Sequence, residues 1–132
     1  MTEIEAKKLD MDKFTSTVLE PGLIENFVKP GMNMEAKDAW EMKKINQDLS
    51  EGKEYVVLVS SGHLASVSKA AREVIASKEF VGNTLAKALL VESLGHRITG
   101  NFYLSVNKPF LKTRIFTDRE EALKWLRLQL ND

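Results

Sequence analysis

Between Lys13 and Val28 apolar and hydroxyl-bearing residues alternate, Phe14, Ser16 and Val18 against Thr15, Thr17 and Leu19, around Glu20-Pro21-Gly22. Thr and Val favour extended backbone, and Pro-Gly suits a tight turn because Pro presets φ while Gly accepts positive φ. The pattern predicts a β-hairpin. Lys29-Pro30-Gly31 then breaks the chain, and Asn33 is placed to cap a helix running to about Glu51. Glu35 falls in its first turn, where negative charge suits the helix dipole, and Gly52 stands just past its end. Ala39, Met42, Ile45 and Leu49 share one stripe at about 100° per residue and form the expected core face. Trp40 lies off that stripe and is expected to pack at the flank, against the hairpin or a terminal segment.

Tyr55 to Ser60 is a β-branched apolar run bounded by polar residues, which suits a central strand buried on both faces. A loop rich in small hydroxyl residues follows, then a helical stretch from Lys69 to Ser77 that Ser66 or Ser68 would cap. Leu85 to Glu92 is a short apolar run whose period fits strand or helix; a strand completes the sheet. Leu94, Ile98, Phe102 and Val106 recur at four-residue steps, the mark of an amphipathic helix, although Gly95 and Gly100 each cost it ~1 kcal/mol relative to Ala. Lys108-Pro109 ends that helix, and Lys112 to Phe116 reads as a last short strand. Thr117-Asp118-Arg119-Glu120 reads as a capping box with Thr117 as cap, and Ala122, Leu123, Leu126 and Leu130 make the apolar face of a closing helix. The order ββαβαβαβα describes a single α/β domain over residues 13–132, a four- to five-stranded mixed sheet with helical crossovers, preceded by a polar segment at 1–12.

The segment Phe116-Thr117-Asp118-Arg119-Glu120-Glu121-Ala122-Leu123-Lys124-Trp125-Leu126 resembles the closing strand-to-helix signature of bacterial SpoIIAA-like proteins, a STAS/SEC14-like group. Asn101-Phe102-Tyr103-Leu104 with Asn107-Lys108-Pro109 resembles the preceding segment in small uncharacterised members of it. The resemblance covers Ser60 to Asn131 and implies a SpoIIAA-like (STAS-like) fold. It also implies a non-enzymatic regulatory or protein-interaction module, in the manner of anti-sigma-factor antagonists. In those antagonists a Ser or Thr after an Asp, at the entry to a helix, is phosphorylated by a partner kinase. The corresponding pair here is Val67-Ser68: the serine is present and the aspartate is missing. Ser68 is thus the candidate phosphoacceptor, since a phosphate at a helix N-terminus meets free N–H groups; the plainer alternative is that Ser68 only caps the helix.

Composition narrows the chemistry. The 132 residues are 43% hydrophobic and 29% charged, enough for a packed core, and contain no cysteine. That excludes disulfides, thiolate metal sites and a cysteine nucleophile. Net charge is zero, so no field recruits nucleic acid or an anionic membrane. The amino terminus has neither the apolar core of a signal peptide nor a transit-peptide pattern, and the expected setting is cytoplasmic, without membrane insertion. No phosphate loop, dinucleotide fingerprint or serine-hydrolase motif occurs, and no cofactor or metal is expected.

Ligands bind open α/β sheets beyond the carboxyl ends of strands, which makes Ser60, Ser61, Gly62, His63 and Ser66 the candidate binding loop. Arg97, Asn101 and Lys108 fall near one helix face and would receive an acidic group. Met1 to Glu54 holds 12 acids and 8 bases, Tyr55 to Asp132 7 acids and 11 bases, an asymmetry suited to a protein partner such as a kinase or anti-sigma regulator, or to a homodimer. The alternative function is carriage of a small apolar, lipid-like ligand, or a degenerate enzyme, using a pocket between sheet and helices. Met32, Met34 and Met42 would line that pocket.

Overall fold

The computed structural model describes residues 7–131. Eight strands and four helices follow the hydropathy pattern: β1 (Lys8–Asp10), β2 (Phe14–Glu20), β3 (Leu23–Val28), β4 (Asn33–Met34), α1 (Ala36–Leu49), β5 (Tyr55–Ser61), β6 (Ser66–Val67), α2 (Lys69–Ala76), β7 (Thr84–Leu90), α3 (Leu94–Phe102), β8 (Thr113–Phe116) and α4 (Arg119–Leu130). The main sheet has six strands in the order β1-β2-β3-β5-β7-β8, while β4 and β6 pair separately. β1, β2 and β3 are antiparallel neighbours, and β3, β5, β7 and β8 run parallel. Without the short β1, β4 and β6, this is the expected order ββαβαβαβα. The strand count exceeds four to five because β1 adds an edge strand from within the polar segment at 1–12.

The hairpin turns at Pro21-Gly22, where Gly22 takes φ +82°, a conformation that costs a residue without a Cβ little. The run at 84–90 is strand, since its alternate residues serve two different layers. Ala86, Ala88 and Leu90 join Leu23, Val56 and Leu58 beneath Ala122, Leu123 and Leu126 of α4, the main apolar core. The opposite face carries α1, with Phe14, Val28, Met34, Ile45 and Ala65 packed together and Met42 and Leu49 at the margin. Asn26 and Asn46 exchange amide hydrogen bonds of 2.9 Å in both directions, and the Asn26 amide also donates to Ser16 Oγ at 2.8 Å. This closed polar set fixes α1 over β2 and β3.

Helix starts differ from the sequence reading. Asn33 does not cap α1; it pairs in β4 with Ser66, and Glu35 is the cap, closing a reciprocal box with Asp38. The α1 helix stops at Leu49, where Glu51 and Gly52 both turn left-handed. Asp118, not Thr117, caps α4 by accepting from the Glu121 N–H at 3.3 Å, since the strand backbone runs on to Phe116. Trp40 meets Phe80 edge to face at 5.0 Å, against the short helical turn Lys78–Phe80 rather than the hairpin.

The largest departure is α3. The helix forms and passes into a π turn at Tyr103–Asn107, but its apolar stripe points outward: Leu94, Ile98, Phe102 and Val106 are 70%, 61%, 47% and 57% exposed. Gly100 is the buried residue of α3, and His96, Thr99 and Gly100, with Tyr103 of the π turn, border the space beneath it. A Cβ on Gly100 would stand 3.1 Å from Ile115 Cδ1 and 3.5 Å from Val91 Cγ1, so glycine lets the helix lie this close to β8 without displacing the Ile115 side chain. Among the described residues no helix is long and apolar enough to cross a membrane.

Candidate functional site

Residues of β3, β5 and β7 alternate between layers, so Asn26, Val28, Tyr55, Val57, Val59, Ser61, Lys87, Leu89 and Val91 all face α1, α2 and α3. The helices leave a gap over this face. The result is a partly open, largely apolar cavity of about 160 Å³, floored by these strands and roofed by α3.

Two buried lysines enter it from opposite sides. Lys43, on α1, is fully occupied: its ammonium donates to Thr84 Oγ1 at 2.6 Å, Val81 O at 3.1 Å and Tyr55 Oη at 3.3 Å, and stands 4.6 Å from the Phe80 ring centroid. Burial lowers its pKa to about 8. Lys87 sits in the middle of β7 and has no such partners. Its Nζ faces the Phe80 and Tyr103 rings, each 5.9 Å away at the centroid, and makes no hydrogen bond among the described residues. Burial, and secondarily the charge on Lys43, bring it down to about 7, so at neutral pH it exchanges between amine and ammonium.

Two more buried donors go unused in residues that border the same space. The buried Tyr103 hydroxyl has no hydrogen-bond partner among the described residues, and burial pushes its pKa up, so it stays a donor. Arg72 anchors through Nη1 to Val67 O at 2.8 Å and lies over Phe102, yet its buried Nε is unpartnered. No carboxylate among the described residues lines the cavity. Buried polar groups are nearly always paired, so a lysine without an acceptor among the described residues, in a cavity bordered also by Tyr103 and Arg72 with their unpaired buried donors, marks this space as a candidate receptor for an oxygen acceptor.

The expected binding loop is partly strand, since Ser60 and Ser61 close β5 and Ser66 opens β6, and its side chains divide between two faces. Ser61 and Ser66 line the cavity, and Ser66 Oγ also donates to Asn33 Oδ1 at 2.9 Å. Ser60 points the other way, donating to Glu25 Oε2 at 2.6 Å, where Glu25 also receives a bidentate pair from Arg119. Burial alone would raise the Glu25 pKa, but the Arg119 and Ser60 hydrogen bonds outweigh it and hold the carboxyl below its usual range. Gly62 lies against Pro30, where any Cβ would clash, and His63 is an exposed residue whose carbonyl accepts from Gly31. Ser68 caps α2, accepting from the Ala71 N–H at 3.1 Å.

Arg97, Asn101 and Lys108 are all exposed and form no ion pair among the described residues. Met34 and Met42 line the cavity, whereas Met32 is exposed. His96 hydrogen-bonds Ala65 O at 3.1 Å, tying the loop to the first turn of α3. Among the described residues no cluster of three or more His, Asp or Glu side chains is arranged to hold a metal ion. Sequence reasoning passed over Lys87, Lys43, Tyr103 and Arg72. The available signal was Lys87, a charge centred in the apolar run Thr84-Leu85-Ala86-Lys87-Ala88-Leu89-Leu90.

The fold and this cavity define a small α/β module of SpoIIAA-like type. An uncharacterised protein of the DUF3478 family from Shewanella loihica PV-4, described as having a SpoIIAA-like fold, superposes with a TM-score of 0.53 over 92% of this chain and 91% of that one, at 12% identity. The chain itself belongs to a family described as a domain of unknown function, DUF7793, whose sequence profile matches residues 17–129. No curated protein matches it.

Proposed function

We propose that this STAS-like module binds a small amphiphile, with the apolar body in the cavity and a carboxylate or carbonyl head against Lys87, Tyr103 and Arg72. The observation that carries this reading is the buried Lys87, without an acceptor among the described residues, in an apolar cavity that no carboxylate among those residues lines. An apolar cavity of roughly 150 Å³ takes up a benzene-sized guest, so a medium-chain or aromatic acid suits the volume. Calorimetric titration with octanoate, octylamine and octanol tests it. Octanoate should bind most tightly, with Lys87→Met weakening it about ten-fold or more, in line with losing a charge-assisted hydrogen bond. Equal affinity for octylamine would refute the donor-based reading.

Binding should also depend on pH in a stated direction. A carboxylate needs the Lys87 ammonium, whose pKa in the free protein is about 7. Affinity should therefore be highest below about pH 7 and fall above it, the bound anion carrying the loss upward by raising that pKa.

A second reading, docking of a protein partner, is favoured by the outward stripe of α3. From Leu94 to Thr117 the chain has no acidic residue, while Arg97, Lys108, Lys112 and Arg114 flank the exposed side chains. Ridge-to-ridge pairing of two copies would bring like charges together, so the surface suits a partner with an apolar stripe and an acidic rim. Leu64, 74% exposed in the loop beside α3, extends it. A phosphate on Ser68 would then act by adding charge next to this surface. A designed helix with leucines on one face and glutamate flanks should bind the ridge and lose binding on Ile98→Glu; equal binding of a lysine-flanked counterpart would count against it.

A further inference from the structure

We propose that Lys87 captures a small apolar aldehyde or ketone in the cavity as a covalent imine. The inference rests on the cavity reading and adds a reaction to it. A lysine that serves only as a positive charge is normally held by acceptors, as Lys43 is by Thr84, Val81 and Tyr55. Lys87 has none among the described residues, and aromatic and aliphatic groups surround its Nζ. An amine desolvated in an apolar pocket beside a second cation keeps its lone pair free, which is how lysine becomes a nucleophile at neutral pH.

The steps balance without an oxidant or reductant. The Nζ lone pair attacks the carbonyl carbon, the C=O π pair moves to oxygen, and one nitrogen proton passes to that oxygen to give a carbinolamine. The hydroxyl then leaves as water on taking up a proton, while the nitrogen lone pair closes C=N. The resulting protonated imine releases or keeps its proton with the medium. Tyr103, whose ring centroid stands 5.9 Å from Lys87 Nζ and whose buried hydroxyl is unpartnered among the described residues, is the donor for the oxygen as charge develops on it. The volume and apolar walls select a single aromatic ring or a short aliphatic chain over a sugar.

The test uses the full chain with hexanal and sodium cyanoborohydride near neutral pH, followed by intact mass and peptide mapping. The expected product is one hexyl group on Lys87, formed about ten-fold or more faster than on any exposed lysine, because more of its amine is unprotonated. Lys87→Met should abolish that single fast addition, and Tyr103→Phe should slow it while leaving reaction at exposed lysines unchanged. Hexylation spread over exposed lysines without preference for Lys87 would overturn the proposal. Hexanol, which cannot form an imine, separates the two readings. If it raises the melting temperature but hexanal is not trapped at Lys87, the covalent step fails and the cavity stands; if neither happens, both fail.

Discussion

A lysine with no acceptor inside a fold is a standing cost, and Lys87 makes that cost measurable. The unfolded chain holds its proton up to about pH 10.5, whereas the folded chain releases it near 7, and Lys43 behaves alike near 8. Between those values the unfolded state binds more protons, so stability rises with pH from about 7 towards 10, the same sign as for carboxylate pairs of lowered pKa but in an alkaline window. Urea denaturation at about pH 7 and pH 9.5 should show the rise, and Lys87→Met should reduce it to the part that Lys43 contributes. That substitution should also stabilise the protein by about 1–3 kcal/mol at neutral pH, as exchanging uncompensated buried charge for an apolar side chain commonly does. A loss of stability would mean that Lys87 is better solvated than its surroundings indicate. Hydropathy cannot expose this residue's role, because a lysine within an apolar strand reads equally as a surface position on an edge.

The two helices on either side of the sheet are alike in amphipathic pattern and opposite in what they bury. On α4 the stripe is inside: Leu126 is fully buried against Leu23, Val56 and Ala86. Leu126→Ala should therefore cost about 2–5 kcal/mol. On α3 the stripe is outside, and Ile98→Ser should change stability by less than about 1 kcal/mol. Chemical denaturation of the two variants would decide the contrast, and a large loss on Ile98→Ser would place that side chain in the core after all. The caps are testable in the same way. Asp118→Ala should cost about 1 kcal/mol and Thr117→Ala much less, since only Asp118 accepts from the backbone of α4. The capping box at 117–120 was legible as a helix start but off by one residue, because Asp and Thr are both good caps and the choice depends on where β8 releases the chain.

For the molecule as a whole, ligand binding and folding are one equilibrium. A compound that occupies the cavity only in the folded state stabilises it by about 2.7 kcal/mol at 100 times its dissociation constant. Octanoate should accordingly raise the melting temperature near pH 6.5 and much less near pH 9.5, where Lys87 is neutral; a shift independent of pH would remove Lys87 from the binding. The sequence alone determined the element order, the hairpin at Pro21-Gly22, the buried central strand and the closing helix, because alternation, helical spacing and capping act between residues a few positions apart. Tertiary structure decided the rest. Arg72, Lys87 and Tyr103 lie on separate elements, and only the side-by-side packing of β7 with the helices above it brings the three residues to the border of one cavity. Helical spacing likewise marks that α3 has an apolar side but carries no information on which side meets the sheet; in the fold Gly100 is the buried position, close against Ile115 and Val91.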